Sequence, residues 1–144
     1  MKTARCLLLL CAAGCWPDHP PAPEELALEH YEDAEAHFAA GRVNDAAIEY
    51  EFAAVNRPRW KEAYLKLARC RELQHREDDA ILAYERLLIQ YKNDEDGLRG
   101  VAKLYAQRGD ADKALDRYRR LKAQTPQDRS LDGEIARLEA LRKP

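Results

Sequence analysis

The chain has 144 residues, 35% of them charged, and a formal net charge of −2 at pH 7. That length holds one small domain, and the charged fraction suits a soluble helical surface. The slightly acidic balance argues against general nucleic-acid binding, which needs a basic surface.

Residues 1–14 stand apart from the rest. Lys2 and Arg5 form a short positive region, and Leu7 to Ala13 is an apolar run. It falls far short of the ~20 residues that span a bilayer. Such a stretch reads as a secretion signal, outside the fold. At its end stand Ala12, Ala13, Gly14 and Cys15. Small residues directly before a cysteine resemble the lipobox of bacterial lipoproteins, although Ala12 stands where leucine is more usual. The resemblance implies cleavage before Cys15, a diacylglycerol on its thiol and a further acyl chain on the new amino terminus. Two or more chains anchor stably, because each buried methylene contributes ~0.8 kcal/mol. Trp16 follows, not the aspartate that often holds such proteins at the inner membrane. The resemblance therefore implies the outer membrane, facing the periplasm. The alternative is ordinary cleavage after Ala13 or Gly14, which leaves a soluble periplasmic or secreted protein. In the lipoprotein reading Cys6 and Cys11 leave with the signal and Cys15 is acylated. Only Cys70 remains, so no intramolecular disulfide can form. Cys70 reads as a small buried hydrophobe rather than a nucleophile.

Residues 15–23 carry the acylated cysteine and a tether that holds Pro17, Pro20, Pro21 and Pro23. An extended tether of this kind reaches ~20 Å at about 3 Å per residue. Residues 24–144 form the domain. The first helix is expected from near Glu24 to near Ala40, with Glu24 and Glu25 suiting the positive end of the helix dipole. Asn44 or Asp45 can cap a second helix that runs to about Asn56. Further helices are expected over Trp60–Gln74, Glu77–Gln90, Glu95–Arg108 and Ala111–Gln124, the last with Asp110 as its cap. A seventh follows from Asp128 to about Arg142, with Leu131, Ile135, Leu138 and Leu141 as its apolar face.

One frame recurs through these helices. Ala34, Ala68, Ala102 and Ala136 are each 34 residues apart, as are Ala46, Ala80 and Ala114, and Tyr50, Tyr84 and Tyr118. Gly41 and Gly109 lie two periods apart with His75 between them, and Pro58 and Pro126 likewise with Lys92 between. A period of this length means stacked helix–turn–helix units, in which small residues allow close helix approach and tyrosines fill the space between units. Their hydroxyls need a partner or water. Glycine closes a first helix in the left-handed conformation, and proline stops a second one. With His75 and Lys92 in those places, the turns of the second unit are expected to be less regular. These alanines and tyrosines are core.

The pattern resembles the tetratricopeptide repeat (TPR), with repeats at residues 27–60, 61–94 and 95–128 and a capping helix at 128–142. The resemblance implies an all-α solenoid of three helix–turn–helix repeats plus that helix. A terminal cap covers the last repeat with one face and meets water with the other. His30, Tyr64 and Leu98 replace the frequent tryptophan, and Asp33 replaces a frequent leucine. The resemblance also implies that first helices line a concave groove. The facing positions would be Leu28, Tyr31, Glu35 and Phe38, then Glu62, Leu65, Arg69 and Glu72, then Asp96, Arg99, Lys103 and Ala106. Tyr31 and Phe38 offer an apolar end. Arg69, Arg99 and Lys103 offer a basic stretch that Lys66 and Arg137 extend. Such a groove suits an amphipathic protein segment with an acidic group. Tyr31, Glu35, Lys66, Asp96 and Gly100 stand where the chaperone carboxylate clamp has its lysine and asparagine set, so a cytosolic chaperone adaptor is not implied.

No nucleophile turn, phosphate loop or paired-cysteine metal site is present in the sequence. His30, Asp33 and His37 share one helix face, and a His-based metal-binding protein or enzyme is the least favoured alternative; two of the three replace packing aromatics, and no metal site is assigned to them. No cofactor, nucleic acid or small-molecule substrate is implied. The expected function is that of a non-enzymatic, lipid-anchored scaffold with a protein or peptide partner, resembling pilotins and adaptors of envelope assembly. Its anchor confines the groove near the membrane and raises partner concentration there.

Overall fold

The computed structural model describes residues 22–142, and all regular structure in them is helical. Seven helices follow one another: α1 Pro23–Ala39, α2 Val43–Asn56, α3 Lys61–Leu73, α4 Glu77–Gln90, α5 Glu95–Gln107, α6 Ala111–Gln124 and α7 Ser130–Leu141. Each packs chiefly on its neighbours in sequence, as stacked hairpins must. The expected signal, Cys15 and most of the tether lie outside the described residues.

The alanine frame explains the close stacking. Ala34, Ala68 and Ala102 on first helices and Ala46, Ala80 and Ala114 on second helices are all fully buried. Tyr50, Tyr84 and Tyr118 fill the spaces between hairpins, joined by Leu87, Leu98, Leu115 and Leu121. No polar or charged residue is buried among the described residues. Truncating one of these leucines to alanine typically costs about 2–5 kcal/mol, because the cavity left behind adds to the lost transfer energy.

The second repeat departs from expectation by being as regular as the other two. His75 adopts φ 56, close to the φ 73 of Gly41 and φ 86 of Gly109. The hydrogen bonds around it match as well. Arg76 N donates to Arg71 O at 2.9 Å, as Arg42 N does to His37 O and Asp110 N to Tyr105 O. Histidine is thus held in a conformation that strains a Cβ-bearing residue. At the following turn Tyr91 takes φ −124, ψ 71, near the values of Arg57 and Thr125 before their prolines. The Tyr91 hydroxyl donates to Arg59 O at 2.9 Å, which ties this turn to the preceding one without a proline.

Helix starts differ in detail from the sequence expectation. α2 begins at Val43 after Arg42, so Asn44 and Asp45 fall inside its first turn rather than capping it. The left-handed Gly41 returns the chain so sharply that the helix starts at once, and the Asp45 carboxylate instead meets Arg42 at 3.6 Å. Asp110 precedes α6, but its side chain pairs with Arg108 and makes no cap bond. α5 has a capped start, where Asp94 accepts from Gly97 N at 2.8 Å. Asp128 sits outside α7 and accepts from Ser130 N at 3.0 Å and from the Ser130 hydroxyl at 2.6 Å.

α7 covers the last repeat with Leu131 and Leu138, both buried, and Ile135 beside them. Leu141 does not join that face and is 67% exposed. At 100° per residue it lies about 90° from the centre of the Leu131–Ile135–Leu138 stripe. Ala136 keeps the 34-residue register but is exposed, because no second helix packs on α7 among the described residues. Asp132 and Glu139 reach back to α6, where they pair with Lys122 at 2.8 Å and Arg119 at 2.6 Å.

Candidate functional site

The first helices α1, α3 and α5, with α7 after them, place the sequence-predicted residues along one side of the stack. At the α1 end the Tyr31 ring stacks on Trp60, with centroids 4.4 Å apart and planes at 21°. It meets the buried Tyr50 edge-on at 5.4 Å. Phe38 lies under the Lys66 ammonium, which stands 5.7 Å from the ring centroid. Between these aromatics the Glu35 carboxylate accepts from the Tyr50 hydroxyl and from Lys66 Nζ, the latter at 2.8 Å. Lys66 first and Tyr50 second hold the Glu35 carboxyl below its ordinary range. Burial, then the bond to Glu35, pushes the Tyr50 hydroxyl up. Lys66 therefore serves Glu35, and the cationic part of the groove begins at Arg69.

The middle of the groove is an open hollow of ≈ 360 Å³ between α3 and α5. Leu65 forms one wall, Arg69, Arg99 and Lys103 stand over it, and Tyr84 lies at its base beside Gly100. Gly100 is required by this close approach. A Cβ there would come within 2.7 Å of Tyr84 Cε1. The missing side chain lets the tyrosine of a second helix reach the groove and donate to Glu72 Oε1 at 2.6 Å. Burial first, then this carboxylate, raises the Tyr84 pKa.

The cations here have acidic company. Arg69 lies 3.6 Å from Glu72. Arg99 bridges Glu95 at 3.0 Å and Asp128 at 2.9 Å. The hydroxyl of Ser130 first and Arg99 second hold the Asp128 carboxyl down at about 2. Lys103 makes no ion pair among the described residues, and it borders both this hollow and the next. That second hollow, ≈ 260 Å³ between α5 and α7, is lined by Lys103, Ala106, Gln107, Tyr118, Glu134 and Arg137. Arg137 is paired with Glu134 at 2.7 Å. The groove is a row of alternating charges over an aromatic and aliphatic floor, rather than a basic strip.

Leu28 is half exposed, and His30 and His37 turn toward α2. His30 stacks on Phe52 at 5.1 Å and its Nδ1–H donates to Glu49 at 2.7 Å, while His37 Nδ1 accepts from Arg42 Nε at 2.9 Å. No three potential metal ligands converge among the described residues. Cys70 is buried, and desolvation pushes its thiol up to about 11. No helix of the described residues is long and apolar enough to cross a membrane.

Sequence reasoning placed the tyrosines in the core but missed that Tyr84 also forms the groove floor. The signal was available in Gly100, a glycine inside a helix where no turn calls for one. It also treated the groove cations without their acids, since Asp128 is 29 residues from Arg99 and sequence spacing gives no hint of the pair.

No protein-family model and no curated protein matches this chain. Solved structures do. The chain is similar to the TPR domain of Arabidopsis OM64, with a TM-score of 0.68 and 15% identity over 81% of this chain and 96% of that one. It is similar to the Yersinia enterocolitica type III secretion chaperone SycD in complex with a peptide of the translocator YopD, at TM-score 0.64 and 16% identity over 81% and 88% of the two chains. A tetratricopeptide repeat protein from Parabacteroides merdae gives TM-score 0.72 and 20% identity, covering 79% of this chain and 46% of that one. At such identities the likeness is one of fold, and the fold of residues 22–142 is the all-α tetratricopeptide repeat solenoid.

Proposed function

We propose that this chain is a non-enzymatic scaffold of the bacterial cell envelope. It is anchored by lipid on Cys15 and holds a segment of a partner protein in the groove over α3, α5 and α7. The observation that carries the groove reading is the pair of hollows that meet at Lys103. They are open, with Tyr84 and Tyr118 among the lining and charges of both signs around them. A surface of that kind suits an extended or helical segment with one apolar side. The complex of SycD with a YopD peptide supports the reading by showing a similar fold with a peptide bound. The anchor rests on Ala12-Ala13-Gly14-Cys15 and on the outer-membrane sense of Trp16. A pilotin-like or assembly role follows from joining a tethered position to a peptide groove, because tethering raises the local concentration of the groove for its partner.

A photo-reactive residue at position 96, which borders the same hollow, should crosslink a defined protein in intact cells. Arg69→Glu with Lys103→Glu should abolish that product while a convex-face position is unaffected. Crosslinks that persist in the double variant would end the groove reading. The anchor has its own test: the wild type should enter the detergent phase, and Cys15→Ser should move to the aqueous phase. Equal partitioning would favour the soluble periplasmic alternative.

A further inference from the structure

A shift of 34 residues carries Arg69, Glu72 and Tyr84 onto Lys103, Ala106 and Tyr118. In the second repeat these three form a closed set. The Tyr84 hydroxyl donates to Glu72 Oε1 at 2.6 Å, and Arg69 stands 3.6 Å from the other oxygen. The first repeat solves the same problem with a different glutamate: Glu35 takes the Tyr50 hydroxyl and Lys66 at 2.8 Å. The third repeat has the tyrosine and the cation, but alanine where the glutamate would be. Among the described residues the Tyr118 hydroxyl donates to no carboxylate and Lys103 makes no ion pair. Both line the ≈ 260 Å³ hollow that the short Ala106 side chain leaves open.

We propose that this hollow binds a carboxylate carried by the groove's ligand, in the place that Glu72 fills one repeat earlier. Tyr118 supplies the hydroxyl donor and Lys103 the ammonium. The inference rests on the groove reading and gives it a chemistry. Other charges face the same space. Glu134 lies near Tyr118 but is tied to Arg137 at 2.7 Å and makes no bond to the hydroxyl, while Arg99 is held by Glu95 and Asp128. With Glu134 and Arg137 cancelling, the unbalanced charge is that of Lys103. Charge-assisted bonds from one hydroxyl and one ammonium match a carboxylate, whether from an acidic side chain or from a chain terminus.

The test uses the full chain, labelled for amide NMR, and three peptides. One is an acetylated, amidated hexapeptide with a central glutamate. The second has glutamine instead, and the third is the glutamine peptide with a free carboxyl terminus. A carboxylate peptide should shift the amides of Lys103, Ala106 and Tyr118, and the neutral peptide should bind about fivefold more weakly or worse. Whichever acid binds identifies the source. Ala106→Glu installs the internal carboxylate and should cut affinity about tenfold, with Ala106→Gln falling less. Lys103→Met and Tyr118→Phe should each weaken binding about three- to tenfold, and Glu134→Gln should strengthen it about twofold. Lys103 is exposed, so Lys103→Met keeps the test sharp if Ala106→Glu disturbs folding. Equal binding of acidic and neutral peptides, or Ala106→Glu binding like wild type, would overturn the proposal. Shifts confined to Tyr31 and Phe38 would remove the carboxylate site and leave the groove standing. No shift with any peptide at millimolar concentration would also remove it, while the intact-cell crosslink at position 96 decides the groove separately.

Discussion

Replacing His75 with glycine should stabilise the protein. His75 holds φ 56 with its side chain exposed and no side-chain hydrogen bond among the described residues. A residue with a Cβ pays roughly 1–2 kcal/mol in the left-handed region, a cost that glycine escapes. Glycine in turn loses more backbone freedom on folding, by roughly 0.5–1 kcal/mol. The difference is about 0–1.5 kcal/mol in favour of glycine, centred on ~0.7 kcal/mol. For a helical domain of this size that raises the melting temperature by about 2–4 °C. Thermal melts followed by circular dichroism, with urea titrations alongside, read the effect. The urea midpoint should rise with the slope unchanged, since the surface exposed on unfolding is the same. Gly109→Ala, at φ 86, is the opposite control and should lower the melting temperature by a similar or larger amount. The reasoning would be refuted if His75→Gly destabilised the protein, because the histidine side chain would then contribute more than its backbone costs.

Four further outcomes follow from the same structure. Lys92→Pro should stabilise by about 0.4–1 kcal/mol in urea titration, because Tyr91 already has the backbone found before Pro58 and Pro126. Gly100→Ala should cost about 1–3 kcal/mol, since its Cβ would press on the Tyr84 ring; an unchanged melt would mean the ring moves freely. The folded Asp128 carboxyl is held at about 2, below the ~3.9 of an unfolded chain. Its contribution is therefore complete above about pH 4 and lost as pH falls through about 2. The wild type's thermal advantage over Asp128→Asn should shrink across that interval, and a gap that stays constant with pH would contradict the pairing. Cys70, buried with its thiol raised to about 11, should react with a disulfide reagent at pH 8 far more slowly than in urea. A fast native reaction would place it at the surface.

The hairpin stack was legible in the sequence because its cause is periodic. Ala34, Ala68 and Ala102 mark where helices must touch, and the 34-residue step repeats that demand. The exceptions were not legible in the same way. His75 and Lys92 looked like weaknesses in the second repeat, but His75 takes the left-handed backbone of Gly41 and Gly109, and the Tyr91 hydroxyl ties down the turn beside Lys92. Leu141 counts as apolar and roughly periodic, yet helix geometry turns it from the buried stripe. In the groove the residue types were visible and their pairing was not. Glu35 with Lys66 and Arg99 with Asp128 are joined across 31 and 29 residues by the folding of separate helices.

Because each helix leans mainly on the two beside it in the chain, order in this molecule is passed along a line. A helix at either end has one neighbour, so melting begins there and works inward. A partner segment lying across α3, α5 and α7 would touch two hairpins and the last helix at once and act as a splint, tying the weakly held end to the middle. Occupancy of the groove would then be felt as stiffness along the whole line.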